Sequence, residues 1–258
     1  MSALHTIDIG EAGSRVVFLH GLFGQGRNWM TIAKGLAPAY RVTLVDLPNH
    51  GRSPWTDRVD YLDMAAAVAD LLSADDPAAV VGHSMGGKVA MALALTRPEL
   101  VSRLVVADIS PAESAGIDDF EGYISALRSL DLATLTRRDD ADAALATSVP
   151  SHMVRAFLLQ NLHREGDNWR WQINLDVLER DLAVTGGWPT DRLAGYPPFE
   201  KPVLWLAGAN SEYVRPEYDA AMRSYFPHYR KVTIKNAGHW LHSDQPEVVL
   251  ATLQAFLH

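Results

Sequence analysis

Six short apolar runs constrain the fold of this chain more than any other feature of its sequence. Each run is rich in Val, Leu and Ile and lacks the polar alternation of a half-solvated strand. Such runs are typical of β-strands that are covered on both faces. The six runs are RVVFLHG (15–21), RVTLVDL (41–47), AAVVGHS (78–84), RLVVADI (103–109), KPVLWLAG (201–208) and RKVTIKN (230–236).

Segments of helical length separate these runs. Strands and helices that alternate along a chain predict an α/β fold, with a mostly parallel central sheet flanked by helices. The last helix has a start signal in Asp244-Gln245-Pro246. The predicted helices cover about 27–37, 61–73, 86–97, 216–226 and 246–257.

The alternation of strands and helices stops after Asp108. The sequence of residues 111–198 predicts helices and loops, without a convincing buried strand. We interpret this stretch as an insertion over the sheet rather than a second domain. Its segment RRDDADAA (137–144) is typical of a solvated helix face. Its aromatic residues could line a substrate pocket or simply pack the insertion onto the sheet. The tryptophans concerned are Trp169, Trp171 and Trp188.

Composition excludes several classes of function. The net charge of -8 leaves no basic face for nucleic acid, and the absence of cysteine excludes disulfides, thiolate metal sites and a cysteine nucleophile. No apolar run approaches the roughly 18 to 20 residues that span a bilayer. The first ten residues resemble no secretory signal. We therefore expect a cytoplasmic protein without a nucleic-acid or membrane partner, and the oligomeric state stays open.

Ser84 is the strongest candidate for a catalytic residue. Gly82-His83-Ser84-Met85-Gly86 fits the pattern G-x-S-x-G, a sharp strand-to-helix turn that holds a serine hydroxyl exposed. This turn would lie at the carboxyl end of a strand, where open parallel sheets form their functional crevice. The pattern G-x-S-x-G also arises by chance in ordinary turns. Its position between a buried strand and a helix is what favours a catalytic serine here.

A serine nucleophile needs a base, and His239 is the best placed of the ten histidines. It follows the last strand and precedes the last helix. His242 is the nearby alternative, although it falls inside or against that helix. The chain order of this architecture is serine, acid, histidine. Three further histidines lie at or after strand ends but precede Ser84, namely His20, His50 and His83.

Two backbone N–H groups are predicted to form an oxyanion hole. One belongs to Met85, the residue after the nucleophile, and the other to the loop LHGLFGQG (19–26). We expect Leu22 to supply the second N–H, with Phe23 as the fallback. The loop matches neither glycine pattern that cradles phosphates, so a nucleotide site is not predicted.

The motifs FLHGLFG, DLPNHGRSP, GHSMGGKVAMALA and NAGHWLHSDQPE occur in the order and spacing of the α/β-hydrolase fold family, which the whole chain resembles. The segments NHGRS, ADISPAES and GANSEYV are most similar to the small bacterial YbfF-type serine esterases. The resemblance implies a serine carboxylesterase that acts on short or medium acyl esters without a cofactor. It also implies a hydrolase core over 1–110 and 199–258, with a helical cap at 111–198 inserted after the sixth strand of the family pattern.

The resemblance fails at one position. Many relatives carry the acid of the catalytic triad in a Gly-x-x-Asp-x-x-Val pattern, and here Ser211 replaces that aspartate. Asp108, which ends the strand next to the nucleophile strand, is the favoured acid, ahead of Asp176 and Glu212. Asp108 could instead be a turn residue before Pro111. Asp46 also ends a strand, but we interpret it as structural.

Three other functions stay open at this point. The same serine and histidine would serve a thioesterase, a C–C hydrolase, a lyase or an acyltransferase. A metal hydrolase has little support, because no H-E-x-x-H pattern is present. A non-catalytic protein that uses the crevice only to bind a small molecule would explain the missing acid at Ser211.

Overall fold

The computed structural model describes residues 3–114 and 117–258. Seven strands form one sheet in the order β1-β3-β2-β4-β5-β8-β9, and β6 and β7 form a separate hairpin. Every pairing in the large sheet is parallel except that of β1 with β3. The strands are β1 (Thr6–Ile9), β2 (Arg15–Leu19), β3 (Arg41–Val45), β4 (Ala78–His83), β5 (Val101–Ala107), β6 (Leu162–Glu165), β7 (Asn168–Trp171), β8 (Val203–Gly208) and β9 (Tyr229–Ile234).

Helices follow most strands and cover the sheet. The proline signal near the carboxyl end is confirmed, because the last helix begins at Pro246. The helices are α1 (Met30–Leu36), α2 (Tyr61–Ala69), α3 (Met85–Thr96), α4 (Ile117–Arg128), α5 (Arg138–Leu145), α6 (His152–Leu159), α7 (Leu175–Arg180), α8 (Leu182–Gly186), α9 (Thr190–Leu193), α10 (Asp219–Tyr225), α11 (Leu241–Asp244) and α12 (Pro246–Leu257). Among residues 3–114 and 117–258 we find no helix that combines the length and the hydropathy of a membrane span.

The sheet separates two apolar cores. In β2, Val16 and Phe18 point into the core beneath α1 and α12, whereas Val17 and Leu19 point into the core that α2 and α3 share with the insertion. Because side chains alternate between the faces of a strand and both faces are buried, the strand sequences show no polar alternation. This burial explains why the six apolar runs predict the strands.

The predicted mostly parallel α/β architecture is confirmed, and each of the six apolar runs overlaps a strand of the sheet. Two elements were missed. The edge strand β1, with sequence TIDI, pairs antiparallel with β3 and is only half-buried, so it lacks an apolar run. The hairpin of β6 and β7 contradicts the expectation that 111–198 holds only helices and loops; its strands are mostly exposed and polar.

The insertion between β5 and β8 is hydrogen-bonded to loops at the carboxyl ends of the strands. The Asn161 side chain donates to the Phe23 carbonyl at 2.8 Å, and the Asn174 side chain donates to Asn49 at 3.0 Å. Both asparagines are buried. Because buried amides are costly to leave unpaired, these bonds fix the insertion on the sheet edge where the candidate site lies.

Candidate active site

Ser84 occupies a strained turn between β4 and α3. Its backbone has φ 52° and ψ -122°, a conformation that side-chain-bearing residues rarely adopt. The turn is so tight that a Cβ atom on Gly82 would lie 2.2 Å from the Gly86 carbonyl oxygen, and one on Gly86 would lie 2.4 Å from the His20 carbonyl oxygen. The two glycines of the motif are therefore required by contact between backbones.

Ser84, His239 and Asp108 meet at the carboxyl edge of the sheet. The His239 Nε2 atom lies 3.0 Å from the Ser84 hydroxyl, and its Nδ1 atom lies 2.8 Å from an Asp108 carboxylate oxygen. A carboxylate only accepts hydrogen bonds, so Nδ1 carries a proton and donates it. In the neutral ring Nε2 is then an acceptor, oriented to receive the proton of the Ser84 hydroxyl.

Asp108 is fully buried and its carboxylate is held on both oxygens. One oxygen accepts the Gly208 N–H at 2.8 Å, and the other accepts hydrogen bonds from His239 and from the Ser211 hydroxyl. Ser211, which stands where many relatives have an aspartate, thus donates to the carboxylate that contacts the histidine. No pattern in the sequence predicts this contact of Ser211.

The two alternative acids lie elsewhere. Asp176 pairs with Arg128 at 2.6 Å and its side chain is 81% exposed. Glu212 lies 3.7 Å from Arg215 and its side chain is 80% exposed. Neither carboxylate contacts His239, whereas Asp108 does, so the geometry favours Asp108 among the three candidates.

Packing around His239 fixes the orientation of its ring. Tyr213 stacks on the imidazole with ring centroids 4.1 Å apart, and burial raises the pKa of Tyr213 to about 12. The His83 Nε2–H donates to the carbonyl of His239 at 2.7 Å. Sequence analysis did not single out Tyr213, because an aromatic residue in a loop carries no distinctive pattern.

The two candidates for the second oxyanion donor differ in their hydrogen bonds. The Phe23 N–H donates to His50 Nε2 at 3.3 Å, whereas no acceptor among the described residues receives the Leu22 N–H. The Met85 N–H, at the first turn of α3, likewise has no acceptor in the described part of the chain. Leu22 and Met85 therefore have N–H groups available for a ligand oxygen.

The earlier histidines are structural in this arrangement. His20 accepts the Leu47 N–H at 2.9 Å through Nε2 and donates through Nδ1 to the Gly21 carbonyl at 2.8 Å. Asp46, as expected, has a structural role, since its carboxylate accepts the Gly26 N–H at 2.7 Å. These contacts hold the loop that contains Leu22.

Buried neutral histidines predict a loss of stability in acid. Burial, with a smaller effect of His20, lowers the pKa of His50 to about 3. Below about pH 6.5 the unfolded chain binds this proton and the folded chain does not, so the stabilisation present above pH 6.5 is lost as pH falls toward 3. By pH 4.5 the cost is on the order of 2 to 3 kcal/mol of unfolding free energy.

Urea unfolding at pH 7 and pH 4.5 tests this expectation. His50→Gln should reduce the difference in unfolding free energy between the two pH values. The exposed His163 provides the matched control, His163→Gln, for which the wild-type difference should be retained. An unchanged difference in His50→Gln would contradict a neutral, buried His50.

A small cavity of about 30 Å³ adjoins Ser84. None of Trp169, Trp171 and Trp188 is among the described residues that line it. Trp169 and Trp171 line a separate open groove, and Trp188 packs on Tyr225 with ring centroids 5.7 Å apart. The cavity walls include Leu22, Ser84 and Met85 from the core and Phe120, Leu182 and Gly186 from the insertion.

Metal ligands are not clustered in the described chain. Among residues 3–114 and 117–258, no group of three or more His, Asp or Glu side chains is placed to hold a metal ion.

A parallel sheet with a serine at a strand-to-helix turn, and an aspartate and a histidine at the same edge, defines the class of α/β hydrolases. The family model for the alpha/beta hydrolase fold matches residues 14–246, and the chain belongs to this family. Several similar proteins are named as esterases or lipases, and these names support carboxylic ester hydrolase activity.

Three similar proteins illustrate the relationship. An sn-1-specific diacylglycerol lipase of Mus musculus is 38% identical over 94% of this chain and 80% of its own length. The esterase YbfF of Escherichia coli strain K12 is 32% identical over 95% of this chain and 93% of its own length. The solved structure of a marine microorganism esterase matches 98% of this chain and 99% of its own, with a TM-score of 0.93 and 34% identity.

Proposed function

We propose that this protein is a serine carboxylesterase that hydrolyses small or medium acyl esters through an acyl-enzyme intermediate. The observation that carries the proposal is the chain of contacts from Ser84 Oγ to His239 Nε2 at 3.0 Å and from His239 Nδ1 to Asp108 at 2.8 Å. Serine hydroxyls become nucleophiles when an oriented base removes their proton, and these contacts provide the base and its orientation.

Acylation begins when His239 takes the Ser84 proton and the serine oxygen bonds to the ester carbonyl carbon. The Leu22 and Met85 N–H groups donate to the negative oxygen that forms. The bond to the alcohol oxygen then breaks, and the proton on His239 Nε2 moves to the leaving alcohol. The Asp108 carboxylate stabilises the imidazolium that exists between these transfers.

Deacylation repeats these steps with water. His239 removes a proton from water, which attacks the acyl carbon, and the bond to Ser84 Oγ breaks as that oxygen regains the proton. The carboxylic acid leaves and the enzyme is restored. No cofactor takes part in either half of this reaction.

We further propose that residues 111–198 act as a cap over a hydrolase core formed by 1–110 and 199–258. The cavity beside Ser84 supports this division, because its walls include residues of both parts. The cap would then determine which acyl groups reach the serine.

Transfer of the acyl group to an alcohol is the second candidate activity. A relative from Saccharomyces cerevisiae, named as a probable alcohol acetyltransferase, is 32% identical over 95% of this chain and 77% of its own length. An acyl-enzyme reacts with an alcohol by the same steps as with water, so the two activities share an intermediate.

Partition of the acyl-enzyme between water and methanol tests the proposal. Phenyl acetate and p-nitrophenyl acetate should give the same ratio of methyl acetate to acetate, because both esters form the same acetyl-Ser84 intermediate. Addition of EDTA should leave both rates unchanged. A product ratio that depends on the leaving group would contradict a shared acyl-enzyme.

A further inference from the structure

Lys88 is a buried lysine in an otherwise apolar helix, one turn beyond Ser84. Its side chain is 1% exposed, and every other residue from Met85 to Leu95 in α3 is small or apolar. Burial lowers the pKa of Lys88 to about 7, and Glu113 acts weakly in the opposite direction. In the described chain no carboxylate forms an ion pair with its ammonium group. Because a buried amine without partners is costly, its hydrogen bonds must compensate.

Three oxygen atoms of the insertion surround the Lys88 amine. Its Nζ atom donates to the Ser114 hydroxyl at 2.8 Å and to the carbonyls of Gly186 and Gly187, each at 2.7 Å. These bonds use all three donors of the ammonium group. The Ser114 N–H also donates to the Gly186 carbonyl at 2.8 Å, so this contact joins the two ends of the insertion.

Tyr61 holds the same segment from α2. Its hydroxyl donates to the Thr185 carbonyl at 2.5 Å, and the Lys88 Nζ atom lies 5.8 Å from the centre of its ring. Residues 185–187 are thus bound to two core helices by consecutive carbonyl groups. Because each bond is buried or partly buried, the segment has a defined position on the core.

The same residues form part of the cavity beside Ser84. Lys88, Ser114, Thr185 and Gly186 are among its lining residues, and its volume is about 30 Å³. A cavity needs at least roughly 10 to 15 Å³ of this measure to hold a single water, so a cavity of this size accepts only a small group. The position of 185–187 therefore limits the depth available next to the nucleophile.

We propose that Lys88 is a specificity-determining positioning residue, which holds residues 185–187 as a wall of the acyl pocket and makes the enzyme prefer short acyl groups, such as acetyl and propionyl, to medium ones. The proposal rests on the proposed function, because it takes Ser84 as the residue that is acylated. In this role Lys88 acts through the wall that it positions, because its amine donates to Ser114, Gly186 and Gly187.

Acyl-chain selectivity of Lys88→Met tests this role. Methionine keeps the unbranched stem that packs in α3 but has no N–H donor. The quantity measured is kcat/KM for p-nitrophenyl octanoate divided by kcat/KM for p-nitrophenyl acetate. Wild type should prefer acetate, and Lys88→Met should raise the ratio about tenfold or more, since pocket walls discriminate chain length by such factors.

Lys201 offers a matched control. Its amine likewise donates to two backbone carbonyls, those of Pro98 and Val101, and it lies at the amino-terminal end of β5, away from Ser84. Lys201→Met should leave the octanoate-to-acetate ratio at its wild-type value. If Lys88→Met does not fold, Tyr61→Phe removes one donor to Thr185 and should raise the ratio in the same direction.

Fluorophosphonate labelling of Ser84 separates failure of this proposal from failure of the proposed function. Suppose that Ser84 is labelled and p-nitrophenyl acetate is hydrolysed. An octanoate-to-acetate ratio that stays within twofold of wild type in both Lys88→Met and Tyr61→Phe would then overturn this proposal but not the proposed function. A wild-type preference for octanoate would do the same. A third outcome would also overturn the proposal. If wild type hydrolysed p-nitrophenyl hydrogen succinate faster than p-nitrophenyl butyrate, and Lys88→Met lost this preference, Lys88 would bind the substrate carboxylate directly. Absence of labelling and of hydrolysis would reject the proposed function instead.

Discussion

Replacement of Ser84 by alanine is expected to lower kcat for p-nitrophenyl acetate by about 10^4-fold to 10^6-fold, with little change in KM. The loss removes the atom that forms the covalent bond, so His239 and the oxyanion donors can only assist a direct attack by water. Ser84 Oγ lies 3.0 Å from His239 Nε2, so the histidine can remove the proton of this hydroxyl directly. We therefore assign the nucleophile to Ser84 alone.

The control for this variant is Ser129→Ala, which removes an exposed hydroxyl in the insertion that donates to the Ala126 carbonyl. Its kcat should stay within twofold of the wild-type value. Circular dichroism should show that both variants are folded. A Ser84→Ala enzyme that retains more than a tenth of wild-type kcat would refute the assignment of the nucleophile.

Asp108→Asn is expected to lower kcat by about 10^4-fold while leaving the fold intact. One carboxylate oxygen accepts the Gly208 N–H and the other accepts the His239 Nδ1–H, so either orientation of an amide places its NH2 group against a donor. The conflict is relieved when the His239 proton moves to Nε2. That nitrogen can then no longer accept the proton of Ser84.

Two exposed carboxylates serve as controls for Asp108→Asn. Asp176→Asn and Glu212→Gln change the other acids that the sequence allows, and each should retain kcat within about threefold of wild type, since surface ion pairs contribute little. Circular dichroism and urea midpoints identify any variant that is unfolded. Wild-type activity in Asp108→Asn, or a large loss in Glu212→Gln, would show that Asp108 is not the acid.

Elements that are buried on both faces were predictable, because their sequences are almost entirely apolar. β4 is apolar because both of its faces are covered, and the two glycines around Ser84 are required by backbone contacts at the turn. His239 follows from chain order, because it lies between the last strand and the last helices. These features depend on local sequence, so a single chain is enough to detect them.

Features that depend on tertiary contacts were not predictable. β1 is an edge strand with alternating polar residues, and its place in the sheet is determined by pairing with β3. Ser211 reaches Asp108 only because β5 and β8 are neighbours in the sheet. The lone lysine of α3 was visible in the sequence, but two of its three partners, Gly186 and Gly187, lie about a hundred residues away along the chain.

Peptide mapping after reaction with a fluorophosphonate tests the central claim most directly, because the probe reacts only with a serine that is activated by its surroundings. We predict one adduct per chain, located on Ser84, and a strongly reduced rate of labelling in His239→Gln. An unlabelled chain, or an adduct on a different residue, would contradict the claim that His239 and Asp108 activate Ser84 for acyl transfer.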